Sequence, residues 1–292
     1  MPHHTLRGSI RYTSAKPERL GQERGREHFM ITRQADGVRV VHAHCEIDDA
    51  PNVVRDVVLA LHADGRPIDC SVRLTVGDRY EGTGFMRFDG THAECEAFNR
   101  SSGRTSQRLQ LAEPLKGLGA HPICGDALIL RVYDLANGPG REFYPHMMLT
   151  SPDHRGATGP MLFALGFGLE FVGRERVTVV AGTFDALHFR YVDTAGQLPQ
   201  EHPPYDVWCT DDGHYIYLKG AVGGYMQTRY ELVELQGEAA SPRDRSDRDT
   251  RCGMRNQRAG NHRGYAQARY LRQDSSPAPK PPYIAASARA AE

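Results

Sequence analysis

From Glu27 to Phe98 the chain alternates apolar and polar positions in short runs, each ended by a turn carrying Gly and Asp. Glu27–Gln34 runs into Ala35-Asp36-Gly37 and out through Val38–Asp48, and Val53–His62 runs into Ala63-Asp64-Gly65-Arg66-Pro67 and out through Ile68–Val76. Gly77-Asp78 then leads into Arg79–Phe88, and Asp89-Gly90 into Thr91–Phe98. The device returns late in the chain, where Asp211-Asp212-Gly213 separates Asp206–Thr210 from His214–Val222. Alternation with a period of two sends successive side chains to opposite faces of a sheet. Asp-Gly between two such runs marks a hairpin, because both central residues of a type I′ turn need φ > 0. Repeated at intervals of about 8–12 residues, the pattern predicts an all-β fold. The expected form is a curved antiparallel meander, closed into a barrel or left as an open half-barrel, with at most one or two short helices.

The remaining stretches are less regular. Residues 1–24 read as a polar lead-in with one short strand near Ser9–Tyr12, the first seven being flexible. Residues 99–126 read as one long connection, beyond the roughly 12–15 residues at which a loop is usually functional or disordered. The apolar run Ala127–Leu135 reads as a strand. Gly159–Gly173 fits a helix or a buried strand and turn equally well, since Gly166 and Gly168 would each cost about 1 kcal/mol in a helix interior. Apolar periodicity stops at Leu235, after which Arg, Ser, Pro, Gly and Ala dominate. The expected organisation is a single domain over 8–236 and a disordered tail over 237–292, whose composition cannot offset its ordering entropy by burial.

Between Arg174 and Leu235 the pattern becomes specific. Val177-Thr178-Val179-Val180-Ala181-Gly182-Thr183-Phe184-Asp185-Ala186 is followed by Pro203-Pro204, Asp206-Val207-Trp208 and a last strand ending Tyr230-Glu231-Leu232. Over 173–235 this resembles an uncharacterised bacterial β-rich family, a domain of unknown function, whose members pair a V-x-V-x-A-G-T-F-x-A hairpin with a terminal Tyr-Glu-Leu strand. The resemblance implies a β-rich single domain and no agreed catalytic residues; the likeness to lipocalins is one of analogy. Many members carry export signals, whereas residues 1–21 here contain no apolar core of about 7–15 residues. Within the motif, Gly182 suits a tight turn at positive φ. Val177 and Val179 should share one face and Thr178 and Val180 the other. Gly223-Gly224 reads as a bulge or bend in a long last strand.

Composition narrows the function classes. The formal net charge is +0, so nothing in the whole-chain balance argues for a nucleic-acid partner or an anionic membrane surface. The Arg excess of the tail lacks the regular spacing of RGG repeats. No apolar run approaches the 18–20 or so residues of a membrane span, and a cytoplasmic location is expected. Cys45, Cys70, Cys95, Cys124, Cys209 and Cys252 are widely spaced without a C-x-x-C pair, which reads as free thiols. There is no Walker ending, no G-x-S-x-G elbow and no H-E-x-x-H helix.

Several positions carry candidate chemistry, each with a plainer structural alternative. His42 and His44 share a face of one strand with Glu46, a weak metal candidate without a third histidine, against a solvent-facing polar stripe. His121, Cys124 and Asp126 place an imidazole, a thiol and a carboxylate within six residues. His121 with Asp126 could form an oriented base, against a rigid turn set by Pro122 and Gly125. Tyr144 and His146 precede Ser151–Pro160, whose Gly156 and Gly159 peptide groups could receive an anion beside Arg155, against ordinary turn chemistry. His188 lies in an aromatic meander containing Tyr205, Trp208, Tyr217, Tyr225 and Tyr230, which fill a core or line a cavity.

The leading expectation is binding of a small hydrophobic or aromatic molecule in the barrel, with Tyr144, Arg155, Tyr205, Trp208, Tyr217 and Tyr225 as ligand contacts. The alternative is a lyase, isomerase or hydrolase without a cofactor, using a His/Asp or His/Tyr acid–base pair drawn from His121, Asp126, His146 and His188. No cofactor or metal is expected under either.

Overall fold

A computed structural model describes residues 3–194 and 197–237 of the chain. Its first arm comprises β1 (His4–Ser14), β2 (Glu23–Arg33), β3 (Arg39–Ile47), β4 (Val53–Leu61), β5 (Pro67–Val76), β6 (Arg79–Phe88), β7 (His92–Asn99) and β8 (Gly103–Gln110). The second comprises β9 (Leu118–Gly119), α1 (Ile123–Ile129), β10 (Gly140–Leu149), β11 (Phe163–Val179), β12 (Gly182–Val192), β13 (Tyr205–Thr210), β14 (Tyr217–Val222) and β15 (Thr228–Gln236). All strands join one sheet in the order β8 to β1, then β15 down to β9. Neighbours are antiparallel except β9 beside β10. The two arms therefore meet at β1 and β15, from Arg7 opposite Gln236 to Ser14 opposite Thr228.

The sheet curls until its edge strand β8 lies against the segment before β11. There the Gln107 side chain donates to the Leu162 carbonyl at 2.9 Å and accepts from the Leu162 N–H at 2.8 Å. One amide thus occupies both peptide groups that a neighbouring strand would otherwise pair. The expected curved, barrel-like β meander is what forms.

Asp-Gly does set the hairpins, by a different turn. At Asp36-Gly37, Asp64-Gly65, Asp89-Gly90 and Asp212-Gly213 only the glycine has positive φ. In each, the Asp carboxylate accepts from the backbone N–H two residues on, at Val38, Arg66, Thr91 and His214. At Asp36-Gly37 and Asp64-Gly65 the Gly N–H also bonds the carbonyl three residues back, at Gln34 and His62, which makes these the three-residue type I loop with a bulge rather than type I′; the other two hairpins close through Asp89 N–H to His92 O and Thr210 N–H to Ile216 O. Gly77-Asp78, with both residues at φ 57°, has the dihedral signs of type I′.

Other expectations shift. β1 begins at His4, ahead of residue 8, because Leu6 already packs into the core. Residues 99–126 are not one loop: β8 lies within them and escapes notice because, as an edge strand, it buries none of its residues fully. Ala127–Leu135 is not a strand. Ala127 and Leu128 lie in α1, which packs inside the curl against β13 and β14 and buries Cys124, Ala127 and Leu128. Gly159–Gly173 resolves in favour of strand. Leu165, Phe167, Leu169 and Phe171 point inward along β11, and the intervening glycines are covered from outside. A Cβ at Gly166 would lie 2.7 Å from the Phe143 ring, and one at Gly168 2.9 Å from Val192. Gly182 has φ 144°, Val177 and Val179 are buried, and Thr178 and Val180 are exposed, as the motif implies. Gly223-Gly224 lies in the β14–β15 hairpin loop, closed by Met226 N–H to Gly223 O at 3.2 Å, rather than bending a strand. Beyond Gly237 the expected tail, with Cys252, lies outside the described residues.

Candidate functional site

Three charged side chains of the first arm are buried and bond the second: Arg39, whose Nη2 donates to Gly213 O at 3.3 Å, and, at the mouth of the curl, Glu27 and Arg55. Glu27 on β2 is wholly buried. Its carboxylate accepts from the N–H groups of Ile123 at 2.6 Å and Cys124 at 3.0 Å, and from the Tyr12 hydroxyl at 2.8 Å. It thereby caps the first turn of α1, where peptide N–H groups have no partner within the helix. Arg55 on β4, also buried, donates from Nε to Ala120 O at 3.2 Å, from Nη1 to Gly156 O at 2.6 Å and from Nη2 to Thr150 Oγ1 at 2.6 Å. Burial among these uncharged acceptors lowers its pKa to about 10. These contacts fix Ala120–Cys124 and Thr150–Gly156 across the mouth of the curl.

Two chambers abut there, with His121, Ile123, His154, Met226 and Tyr230 lining both. One has a volume of about 150 Å³ and a mostly apolar wall, formed by Ile129, Met148, Leu165, Phe167, Leu198 and Val222. Its polar members include His121, Asp126 and Tyr205. The other, of about 470 Å³, presents Lys16, Arg19, Arg24, Arg55 and Arg155, with Asp49 the one carboxylate on its lining. Arg19 and Arg24 both pair with Asp49. A chain of rings links the chambers: Tyr12 meets Tyr230 edge-on at 5.1 Å, Tyr230 meets Tyr205 at 5.9 Å, and Tyr205 stacks on Tyr191 at 5.8 Å.

The histidines of this region and Asp126 are shifted toward their neutral forms. Burial, reinforced by the Arg55 guanidinium, pushes the His121 imidazole down to about 3. Its Nε2 lies 3.0 Å from the Ser151 carbonyl, which can only accept, so the proton sits on Nε2 and Nδ1 is the acceptor. Burial likewise lowers His154 and His202. Asp126 shifts the other way: burial and the nearby Glu27 carboxylate raise it, a hydrogen bond from Tyr205 offsetting part.

Of the residues singled out in the sequence, His121, Asp126 and Tyr205 line the apolar chamber, and Arg155 and Tyr225 the basic one. His121 binds the Ser151 carbonyl rather than Asp126, so the expected oriented base is not formed. Tyr144 and Tyr217 are buried beside the chambers without lining them; the Tyr144 hydroxyl donates to Glu142, and Tyr217 lies 3.0 Å from Tyr205, hydroxyl to hydroxyl. His146 is exposed on β10, at an irregularity that turns it away from the curl. His188 and Trp208 face outward, because Leu187, Phe189, Val207 and Cys209 take the inward positions. They stack at 4.0 Å between centroids, with His188 Nε2 2.8 Å from Asp206. The outer face also holds His42 and His44, the latter engaged by Asp56 and Glu46. Among the described residues no cluster could hold a metal ion. The expected anion nest at Ser151–Pro160 is taken by Asp153, whose carboxylate accepts from the N–H groups of Arg155 and Ala157.

No family model matches the chain, and no curated protein matches it in sequence. Among solved structures it is similar to a beta-barrel-like protein of the domain of unknown function DUF1849 from Brucella abortus. That match has a TM-score of 0.51 at 12% identity, covering 81% of this chain and 99% of the other. A second similar structure is a Bacteroides fragilis protein with a YmcC-like fold, with a TM-score of 0.33 at 9% identity, covering 80% of this chain and 95% of that one. The likeness to the Brucella abortus protein is one of fold. It agrees with the resemblance to an uncharacterised β-rich family drawn from the hairpin and Tyr-Glu-Leu motifs, and it carries no site residue across. At identities this low, chemistry has to be argued from the chambers themselves.

In and beside those chambers lie groups that turns and motifs did not mark. Glu27 and Arg55 sit at inward phases of their strands, Glu27 in step with Phe29 and Ile31, Arg55 in step with Val53 and Val57. A charge in phase with an apolar face was the available signal. Lys16, Arg24 and His154 had no such mark.

Proposed function

We propose that the protein binds a small hydrophobic or aromatic molecule in the apolar chamber. The observation that carries this is a cavity of about 150 Å³, walled mainly by aliphatic and aromatic side chains and overlooked by a few fixed polar groups. Binding sites for small molecules combine those features. An apolar cavity of this size takes a single benzene-sized ring. The ring chain from Tyr191 to Tyr12 adds flat apolar surface without much rotamer entropy to lose.

Proton-transfer chemistry has less support. A base should titrate near the working pH, whereas His121 is pushed down to about 3 and bonds to a main-chain carbonyl. His146 and His188 lie outside the chambers.

The test is native mass spectrometry of the purified full chain beside a Leu165→Trp variant, which fills the chamber. Loss of a co-purifying or added apolar ligand from the variant supports the reading. Equal retention by both proteins overturns it.

A further inference from the structure

We propose that the molecule taken by this site is an acid, with its apolar body in the 150 Å³ chamber and its anionic group held in the adjoining basic chamber by Arg155, Lys16 and Arg55. This rests on the binding reading above and specifies its ligand class.

Charge on the basic chamber is one-sided. Five cationic side chains face a single lining carboxylate, Asp49, which is already shared between Arg19 and Arg24. Among the described residues, Lys16, Arg55 and Arg155 are left without a carboxylate partner. Arg55 spends three N–H groups on neutral oxygens. A guanidinium carries five donors, so two remain. Arg155 gives Nη1 to the Ala50 carbonyl at 2.8 Å, while its Nε is shut off from water with no acceptor. A buried donor left unmatched is unfavourable. Because His121 and His154 are held neutral, the positive charge comes from Lys and Arg alone and persists across neutral pH.

The two chambers are matched in position as well as character. His121, Ile123, His154, Met226 and Tyr230 belong to both, so the apolar chamber and the basic one share a wall that a single molecule could bridge. An uncharged molecule would leave the cations unanswered, and a free inorganic anion would leave the apolar wall unused.

The experiment is calorimetric titration of the full chain with three probes sharing one body: 4-phenylbutyrate, 3-phenylpropyl phosphate and 4-phenylbutanol. The expected result is that at least one acid binds about tenfold or more tightly than the alcohol, with an advantage that shrinks as salt is raised. The stronger acid identifies the group as carboxylate or phosphate. In Arg155→Met, and in the rim variant Lys16→Met should the first fail to fold, the acid's affinity should fall toward that of the alcohol. Equal binding of acid and alcohol overturns the acid assignment and leaves the apolar site standing. Failure of all three probes to bind overturns the apolar site and the acid assignment together.

Discussion

The two arms of the sheet are built from the same kind of strand but are held in different ways. In the first, each strand from β2 to β8 follows its neighbour through a short turn, and Asx bonds at Asp36, Asp64 and Asp89 lock three of those turns locally. In the second, the chain leaves the sheet after Gly119, inserts α1 into the curl, and crosses the mouth again from Thr150 to Pro160. That excursion is held from outside itself, by Glu27 and Arg55 of the first arm. The regular arm supplies stiffness and those two buried charges. The irregular arm supplies the wall of the apolar chamber, and the basic chamber is lined from both arms. The apolar chamber opens where backbone groups had to find partners far away in sequence.

The comparison can be broken at its strongest point. Glu27→Ala removes the acceptor for two buried N–H groups and a buried hydroxyl, and should lower stability by about 3–5 kcal/mol. Urea unfolding measures this, and a loss below about 1 kcal/mol would show that the clasp is not what holds the insert.

A second prediction concerns pH. Folded His121 titrates near 3, whereas an unfolded histidine titrates near 6.5. Between those values the unfolded chain carries a proton that the folded one lacks, so this contribution is complete above pH 6.5 and drains away as the pH falls toward 3. Asp126, raised in the fold, slopes the opposite way: its contribution is fully present below the ordinary carboxyl range and is lost as the pH rises from there through its raised folded value. His121→Gln should therefore be destabilising at pH 7.5 and progressively less so at pH 5.5 and 4.5, the difference changing by up to a few kcal/mol. Urea midpoints at the three pH values check it, and parallel curves would refute it.

On the regular arm the effects should be small. Asp36→Ala deletes one exposed Asx bond and should cost about 0.5–1 kcal/mol with the hairpin intact, measurable by the same titration. His188→Ala, on the outer face, should change stability by no more than about 1 kcal/mol and leave affinity for the chamber probes unchanged. A changed affinity would place the outer cluster in the site after all.

Legibility followed the same division. Asp-Gly pairs marked the hairpins because a turn is a local event, although the turn type came out differently: Asp spent its side chain on the backbone, so only Gly needed positive φ. The β11 alternation was present in Leu165, Phe167, Leu169 and Phe171. Gly166 and Gly168 obscured it, since glycine lowers both helix and strand propensity and the covering groups, Phe143 and Val192, lie far off in sequence. The helix at Ile123–Ile129 was unreadable for a related reason. It is seven residues long and capped from Glu27 rather than by a neighbour. His188 and Trp208 were misplaced for want of phase; neither residue states which face is inside until Leu187 and Val207 are known to be buried. Glu27 and Arg55 could have been found by phase, yet nothing local says what a buried charge will hold.

The single seam between β1 and β15 has a consequence for the time course of folding. Every other antiparallel pairing joins strands consecutive in the chain, so the entropy of closing a long loop, which grows with loop length, falls mainly on the contact between Arg7–Ser14 and Thr228–Gln236. As the polypeptide is synthesised, the first arm can zip through its hairpins while Glu27 and Arg55 still face water. Their partners arrive only with residues 120 to 156. Until then those two charges oppose the arm's collapse on itself, and the half-made sheet waits open for the insert that completes it.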